Sequence, residues 1–266
     1  MDLQLAGRTA LVTGSSSGIG EATARFLARE GAQVVVHGRD AARTNAVADE
    51  IRASGGKAAA VTGDLIEQAE LEQVVAKIEQ AVGGVDILVN NAGGRVGGWS
   101  RTGWHGVSRE NWLATYKLNV VATAMLIDRL VPGMKTRGWG RTIQISSCVA
   151  IQQPPHFADY QAAKAAEMNM SRSLAHALSG SGVTSNCVSA GIILTPGSEN
   201  EIAGIAREVG IGEDWRPHEA KLALEILRQS VGRIGRPDDI AAAVAFLASP
   251  HADFITGVNL LVEGGM

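Results

Sequence analysis

Cysteine is nearly absent: Cys148 and Cys187 are the only two in 266 residues. They form neither a disulfide framework nor a metal-spaced pair, which suits core thiols in a reducing compartment. An excess of positive charge is missing too. With 24 Lys and Arg against 27 Asp and Glu, the net charge is −3. That removes the electrostatic footprint of a nucleic-acid or anionic-membrane binder. No stretch approaches the ~20 apolar residues of a membrane span. The N-terminus, MDLQLAGRTA, lacks a basic region followed by an apolar one. A cytoplasmic protein with a small-molecule partner is therefore expected, with no nucleic acid and no membrane. Six histidines are scattered without ligand spacing, so no metal is expected. Aromatics make up only 4%, but 45% hydrophobic residues and 32 glycines describe a globular chain rather than a disordered one.

What is present is a repeated alternation of apolar runs and helical stripes. RTALVT (8–13) breaks at Gly14, and Ile19, Ala22, Thr23, Phe26 and Leu27 then follow at helical spacing. AQVVVHG (32–38), KAAAVTG (57–63) and VDILVNNAG (85–93) repeat the pattern with helices between them. GRTIQIS (140–146), VTSNCVSAG (183–191) and GVNLLVEG (257–264) bring the strands to seven. Strands apolar on both faces, alternating with helices, predict a doubly wound, mostly parallel sheet covered on both sides, with residues 1–266 as a single unit. Asn111 to Lys135 reads as one long buried or interface helix, with the amide of Asn119 in its apolar middle. From Ile192 to Gly235 the pattern lapses, and this interval is expected to be a mobile cover over the site.

Two stretches carry chemistry. Thr13-Gly14-Ser15-Ser16-Ser17-Gly18-Ile19-Gly20 lies where the first strand turns into the first helix. Glycines there let backbone N–H groups approach a pyrophosphate at a helix N-terminus, or else simply permit a tight turn. The gap of three residues between Gly14 and Gly18 departs from the usual dinucleotide fingerprint. At the end of the second strand, His37-Gly38-Arg39-Asp40 places a cation where a 2′-phosphate would sit. That favours NADP over NAD, although Arg39 could equally stack on an adenine. Asp40 reads as the cap of the next helix. The second stretch is Ser147 to Lys164, where Tyr160 and Lys164 stand four apart and share a helix face. A nearby ammonium favours the phenolate, so Lys164 could tune Tyr160 for proton exchange. Alternatively, the pair is an ordinary helix surface.

Taken together, the turn from Thr13 to Gly20, Asp64-Leu65, Asn90-Asn91-Ala92-Gly93, Asn119, Ser147, Tyr160-x-x-x-Lys164, Thr195 and Val262-Glu263-Gly264-Gly265 resemble the short-chain dehydrogenase/reductase family, including its beta-ketoacyl carrier-protein reductase-like members. The resemblance implies a Rossmann-type fold and a homo-oligomer, tetramer or dimer. The implied activity is hydride transfer between NADP(H), or NAD(H), and a ketone or secondary alcohol. It also implies that Asn119, Ser147, Tyr160 and Lys164 are catalytic. Gly14, Ser16, Ser17, Gly18, Ile19, Gly20, Arg39, Asp64, Leu65, Asn91, Ala92, Gly93, Tyr160, Lys164, Ile193 and Thr195 would hold the cofactor. Asn119 matches a residue holding a relay water, though a lone amide in an apolar helix can instead satisfy buried backbone. Ala190-Gly191 replaces the Pro-Gly often found after the sixth strand. Related enoyl reductases space Tyr and Lys more widely, which argues against that chemistry here. A dinucleotide-binding regulator without turnover is the rival from another class. Trp99, Trp104 and Trp215 are candidates for an apolar substrate wall or for loop packing, and His156 is expected at the surface or facing substrate.

Overall fold

The computed structural model describes residues 1–97 and 104–266. In chain order the elements are β1 (Thr9–Val12), α1 (Gly18–Arg29), β2 (Gln33–Gly38), α2 (Ala41–Ala53), β3 (Lys57–Thr62), α3 (Gln68–Val82), β4 (Ile87–Asn90), α4 (Arg109–Tyr116), α5 (Ala122–Arg137) and β5 (Gly140–Ser147). A short α6 (Val149–Gln152), α7 (Ala158–Ala177), β6 (Val183–Ala190), α8 (Glu199–Glu208), a single turn α9 (Glu219–Lys221), α10 (Pro237–Ala248) and β7 (Asn259–Val262) complete the chain. The strands form one sheet in the order β3-β2-β1-β4-β5-β6-β7. Every pairing is parallel, so the sheet is wholly rather than mostly parallel.

Alternation along each strand assigns residues to two layers. Ala10, Val12, Val34, Val36, Ile87 and Val89 pack against Leu27, Val47, Ile51 and Val244 from α1, α2 and α10. Their neighbours Leu11, Val35 and Leu88 face Val74, Ile78, Leu126 and Met134 from α3 and α5. A strand buried on both faces reads in sequence as a continuous apolar run, which is why VVV in β2 looks the way it does. The sheet order reverses at β1 and β4, and in such sheets ligands bind beyond the strand carboxyl ends at that reversal.

Two elements depart from the simple pattern. The helix over 111–135 is interrupted by a π-helical turn at Lys117–Val121, which separates α4 from α5 and contains Asn119. Such widened turns recur at functional sites. The segment 192–235 is not structureless: Ile202, Ile205, Ala206, Trp215, Leu222, Ala223, Leu227 and Ile234 form a small core of their own. No helix among the described residues is long and apolar enough to cross a membrane.

Candidate active site

The turn after β1 is built by backbone conformation. Gly14 adopts φ +64°, and a Cβ there would lie 2.9 Å from Ala92 Cα, so only glycine fits the turn against the end of β4. The Thr13 hydroxyl accepts from the N–H groups of Asn91 (3.0 Å) and Ala92 (2.9 Å). The Asn91 amide in turn donates to the carbonyls of Thr13 (2.8 Å) and Gly14 (3.2 Å). The two strand ends are thus tied into one rim. Ser17 precedes α1 in extended conformation and its side chain does not cap the helix. The first-turn N–H groups of α1 therefore begin at the rim itself.

His37 braces this turn from below. The Gly14 N–H donates to His37 Nδ1 (3.3 Å), and Nε2 lies 3.2 Å from the Gly63 carbonyl. With Nδ1 accepting, the proton sits on Nε2 and is donated to Gly63. Burial pushes the pKa of His37 down to about 4, against smaller raising effects from the Gly63 carbonyl and Asp64. The neutral ring joins the ends of β1, β2 and β3, a role that histidine's position in the sequence does not announce.

A cleft of about 930 Å³ opens beyond the strand ends. Of the residues expected at the cofactor, Gly14, Ser17, Gly18, Ile19, Gly20, Asn91, Ala92, Gly93, Tyr160, Lys164, Ile193 and Thr195 line it, and Ser147 joins them. Ser16, Arg39, Asp64, Leu65 and Asn119 do not line it. Ser16 packs beneath Gly38, where a Cβ would meet Ser16 Oγ at 2.8 Å and Thr44 Oγ1 at 2.6 Å. Arg39 is exposed beyond the end of β2, with its guanidinium 3.9 Å from the Asp64 carboxylate. Leu65 is buried in the layer against α3. Asp40 caps α2 by accepting from the Arg43 N–H at 3.1 Å.

Asn119 uses its whole amide on backbone: Oδ1 accepts from Gly94 N–H (3.0 Å), while Nδ2 donates to the carbonyls of Gly94 (2.8 Å) and Thr115 (2.7 Å). It therefore fastens the loop after β4 to the π turn. A Cβ on Gly93 would meet both Asn119 Oδ1 (2.6 Å) and Lys164 Nζ (3.0 Å), so these two groups stand against the same glycine.

The side chains expected to be catalytic converge where β5 and α7 meet. The Ser147 hydroxyl lowers the pKa of the Tyr160 phenol beside it, whereas the Ser146 hydroxyl turns away and donates to the Lys164 carbonyl at 3.0 Å. Lys164 is buried with Nζ 5.6 Å from the centre of the Tyr160 ring. Burial raises the phenol pKa above its ordinary value and outweighs the lowering by Lys164 and by Ser147; Glu167 adds to the rise. The phenol is thus a held proton rather than a ready phenolate. Cys148, beside Ser147, is pushed by burial up to about 11, so it is no nucleophile at neutral pH.

Several groups at the site have no signal in the pattern of the sequence. Asp159, fully buried, accepts from Arg95 Nε (3.0 Å) and from the Thr115 hydroxyl (2.9 Å), tying the start of α7 to α4 and to the loop after β4. Before α7, Gln153 (φ 51°) and Phe157 (φ 62°) hold left-handed backbone, which costs a non-glycine residue and collects at functional loops. The Gln161 side chain staples this loop by donating to the carbonyls of Pro154 (2.6 Å) and His156. His156 is half-buried and lines the cleft rather than standing at the surface. Of the two readings of the tryptophans, Trp215 follows loop packing, buried in the core of the 192–235 segment, and Trp104 is exposed; neither lines the cleft. Trp99 lies outside the described residues.

A family model described as Enoyl-(Acyl carrier protein) reductase matches residues 14–266. The L-sorbose reductase of Gluconobacter frateurii, solved with NADPH and L-sorbose, has a TM-score of 0.91 at 33% identity, covering 100% of this chain and 98% of that one. The Bacillus subtilis (strain 168) oxidoreductase YvaG is 34% identical over 271 residues, 100% of this chain and 98% of that protein. The D-beta-hydroxybutyrate dehydrogenase of Rhizobium meliloti (strain 1021) is 33% identical over 268 residues, 97% of this chain and 98% of that protein. A glycine cradle that side chains would fill, a cleft at the sheet reversal, and relatives matched over nearly their whole length agree: the chain belongs to the short-chain dehydrogenase/reductase family of oxidoreductases, whose cofactor is NAD(H) or NADP(H).

Proposed function

We propose that the protein is an NADP(H)-dependent enzyme interconverting a ketone and a secondary alcohol. The observation that carries this reading is the convergence of Ser147, Tyr160 and Lys164 on the cleft that the Gly14–Gly20 turn lines. The bound dinucleotide supplies or accepts the hydride. The turn N–H groups and the start of α1 would hold its pyrophosphate, Ile193 and Thr195 would serve its nicotinamide end, and Asp64 and Leu65 its adenine end. Arg39 takes the 2′-phosphate: its side chain is 72% exposed, and the neighbouring Gly38 leaves no room for the acid that would repel that group.

In the reducing direction charge develops on the carbonyl oxygen, and two hydroxyl donors stabilise it. Ser147 and Tyr160 are those donors. Tyr160 then gives its proton to the oxygen: burial keeps the phenol protonated until then but makes it a weaker acid, and the Lys164 ammonium offsets part of that rise. In oxidation Tyr160 takes the proton back, helped by the Lys164 ammonium. Asn119 spends its amide on the Gly94 and Thr115 backbone and so fixes the loop after β4 beside Lys164. Two hydroxyls aimed at one oxygen fit carbonyl chemistry better than reduction of a carbon–carbon double bond, despite the description of the matching family model.

Residues 192–235 act as a lid over the cleft, with Ser198, Glu201, Ile205 and Arg228 on its inner rim. Leu113, Val121 and Met125 on α4 to α5, and Leu260 and Leu261 on the outer strand β7, are exposed apolar surfaces that favour a homotetramer using both faces. Two free, buried thiols suit a cytoplasmic setting. The cofactor assignment is tested by comparing KM for NADPH and NADH in the parent and in Arg39→Ala. Loss of one or two charge-assisted bonds predicts a rise in KM of about 10- to 100-fold for NADPH alone. Equal KM values in the parent, or a preference for NADH, overturn the NADP reading.

A further inference from the structure

A lysine this deeply buried needs a reason to keep its proton. The Lys164 side chain is 4% exposed and that of Glu167 is 1% exposed, and they form an ion pair one turn apart on the inner face of α7. An ammonium has three donors and no acceptor. Here Nζ donates to the Ile145 carbonyl (2.8 Å) and to both carboxylate oxygens of Glu167, Oε2 at 2.9 Å and Oε1 at 3.2 Å. The remaining groups around the pair are weak charges: Tyr160 on α7, and Cys187 on β6, whose thiol burial pushes up to about 12. Glu167 is therefore the one carboxylate shown acting on Lys164 among the described residues.

Stability alone does not account for this arrangement. Desolvating two charges costs as much as their attraction returns, and a well-packed apolar pair often serves a core equally well. What the pair does is local. Without a carboxylate, burial would drive Lys164 toward its neutral form and remove the cation beside the phenol. With it, the ammonium stays charged and is aimed at the Ile145 carbonyl, while the carboxylate cancels part of its field at Tyr160. Both effects are visible in direction: Glu167 raises the pKa of Lys164 and also that of Tyr160.

We propose that Glu167 is a positioning residue for the reaction, its carboxylate holding the Lys164 ammonium charged and in place behind Tyr160 and so setting how firmly the phenol keeps its proton. The consequence for turnover rests on the proposed roles of Tyr160 and Lys164; the ion pair itself does not.

The test reads the pair directly. The chain has six lysines, so [ε-13C]lysine labelling gives few signals, and the one missing from Lys164→Met belongs to Lys164. In the parent this signal is expected to titrate above the ordinary lysine value of about 10.4. In Glu167→Gln it should titrate at least about one pH unit lower than in the parent, and the pH profile of kcat should acquire a limb at that same pH. A merely structural residue would lower kcat and Tm without moving either titration. The reciprocal measurement covers the case in which Glu167→Gln does not fold. The Glu167 carboxyl, pushed by burial up to about 7 in the parent, should titrate higher in Lys164→Met, with the [δ-13C]glutamate signal assigned through Glu167→Asp. A Lys164 signal unmoved in Glu167→Gln, or a Glu167 signal unmoved in Lys164→Met, overturns the proposal. Neither titration needs substrate or cofactor. A shifted lysine together with full turnover in Tyr160→Phe would overturn the reaction reading and leave the pair standing.

Discussion

Acidification should destabilise the fold through His37. Its ring is buried and neutral, and both nitrogens are spent, Nδ1 on the Gly14 N–H and Nε2 on the Gly63 carbonyl. Its folded pKa is lowered from 6.5 to about 4. Between those values the unfolded chain binds a proton that the folded chain refuses, so stability is full above pH 6.5 and falls as the pH drops toward 4. A gap of about 2.5 units at about 1.4 kcal/mol per unit gives a loss of about 3 kcal/mol from this one residue. Carboxylates titrate in the same range, so the measurement is a difference. Glutamine can accept from Gly14 and donate to Gly63 without titrating. Urea unfolding of the parent and of His37→Gln at pH 7, 5.5 and 4.5 should show the variant losing less stability on acidification, with the gap growing toward about 3 kcal/mol. Parallel curves for the two proteins would show that His37 is not the group whose protonation destabilises the fold.

Two further substitutions probe the rim and the start of α7. Gly14→Ala forces a side chain into left-handed backbone, at about 1–2 kcal/mol, and into contact with Ala92; NADPH affinity measured by nicotinamide fluorescence should fall at least about tenfold. Asp159→Ala removes the carboxylate from a pair with side chains 4% and 0% exposed. Breaking such a buried pair costs about 3–5 kcal/mol, which a denaturant titration will show as a lower midpoint at unchanged slope.

The sheet was legible because its cause is local: each apolar run and each helical stripe declares its own element, and their alternation leaves little freedom of topology. The glycine turn and Tyr160-x-x-x-Lys164 were legible for the same reason. Contacts between distant residues were not. Arg95 and Asp159 are 64 residues apart, and His37 joins partners 23 and 26 residues away. Glu167 shows the limit most clearly. Nothing in its position three residues after Lys164 marks it, and only the packing of α7 against β5 and β6 buries the pair. The same packing reverses the expected balance at Tyr160, where burial outweighs the lysine. For Trp215 the choice between substrate wall and loop packing was not legible, because it turns on 192–235 enclosing a core of its own that takes up the ring.

Tyr160 is proposed to move the proton in hydride transfer at this cleft. A panel of ketones with NADPH, and of secondary alcohols with NADP, identifies a turned-over substrate for the parent, and Tyr160→Phe is then assayed with it alongside its Kd for NADPH. kcat should fall about 10²–10⁴-fold or more with cofactor affinity nearly intact. A Tyr160→Phe variant with unchanged kcat, or a parent that oxidises NADPH with no ketone in the panel, would contradict it.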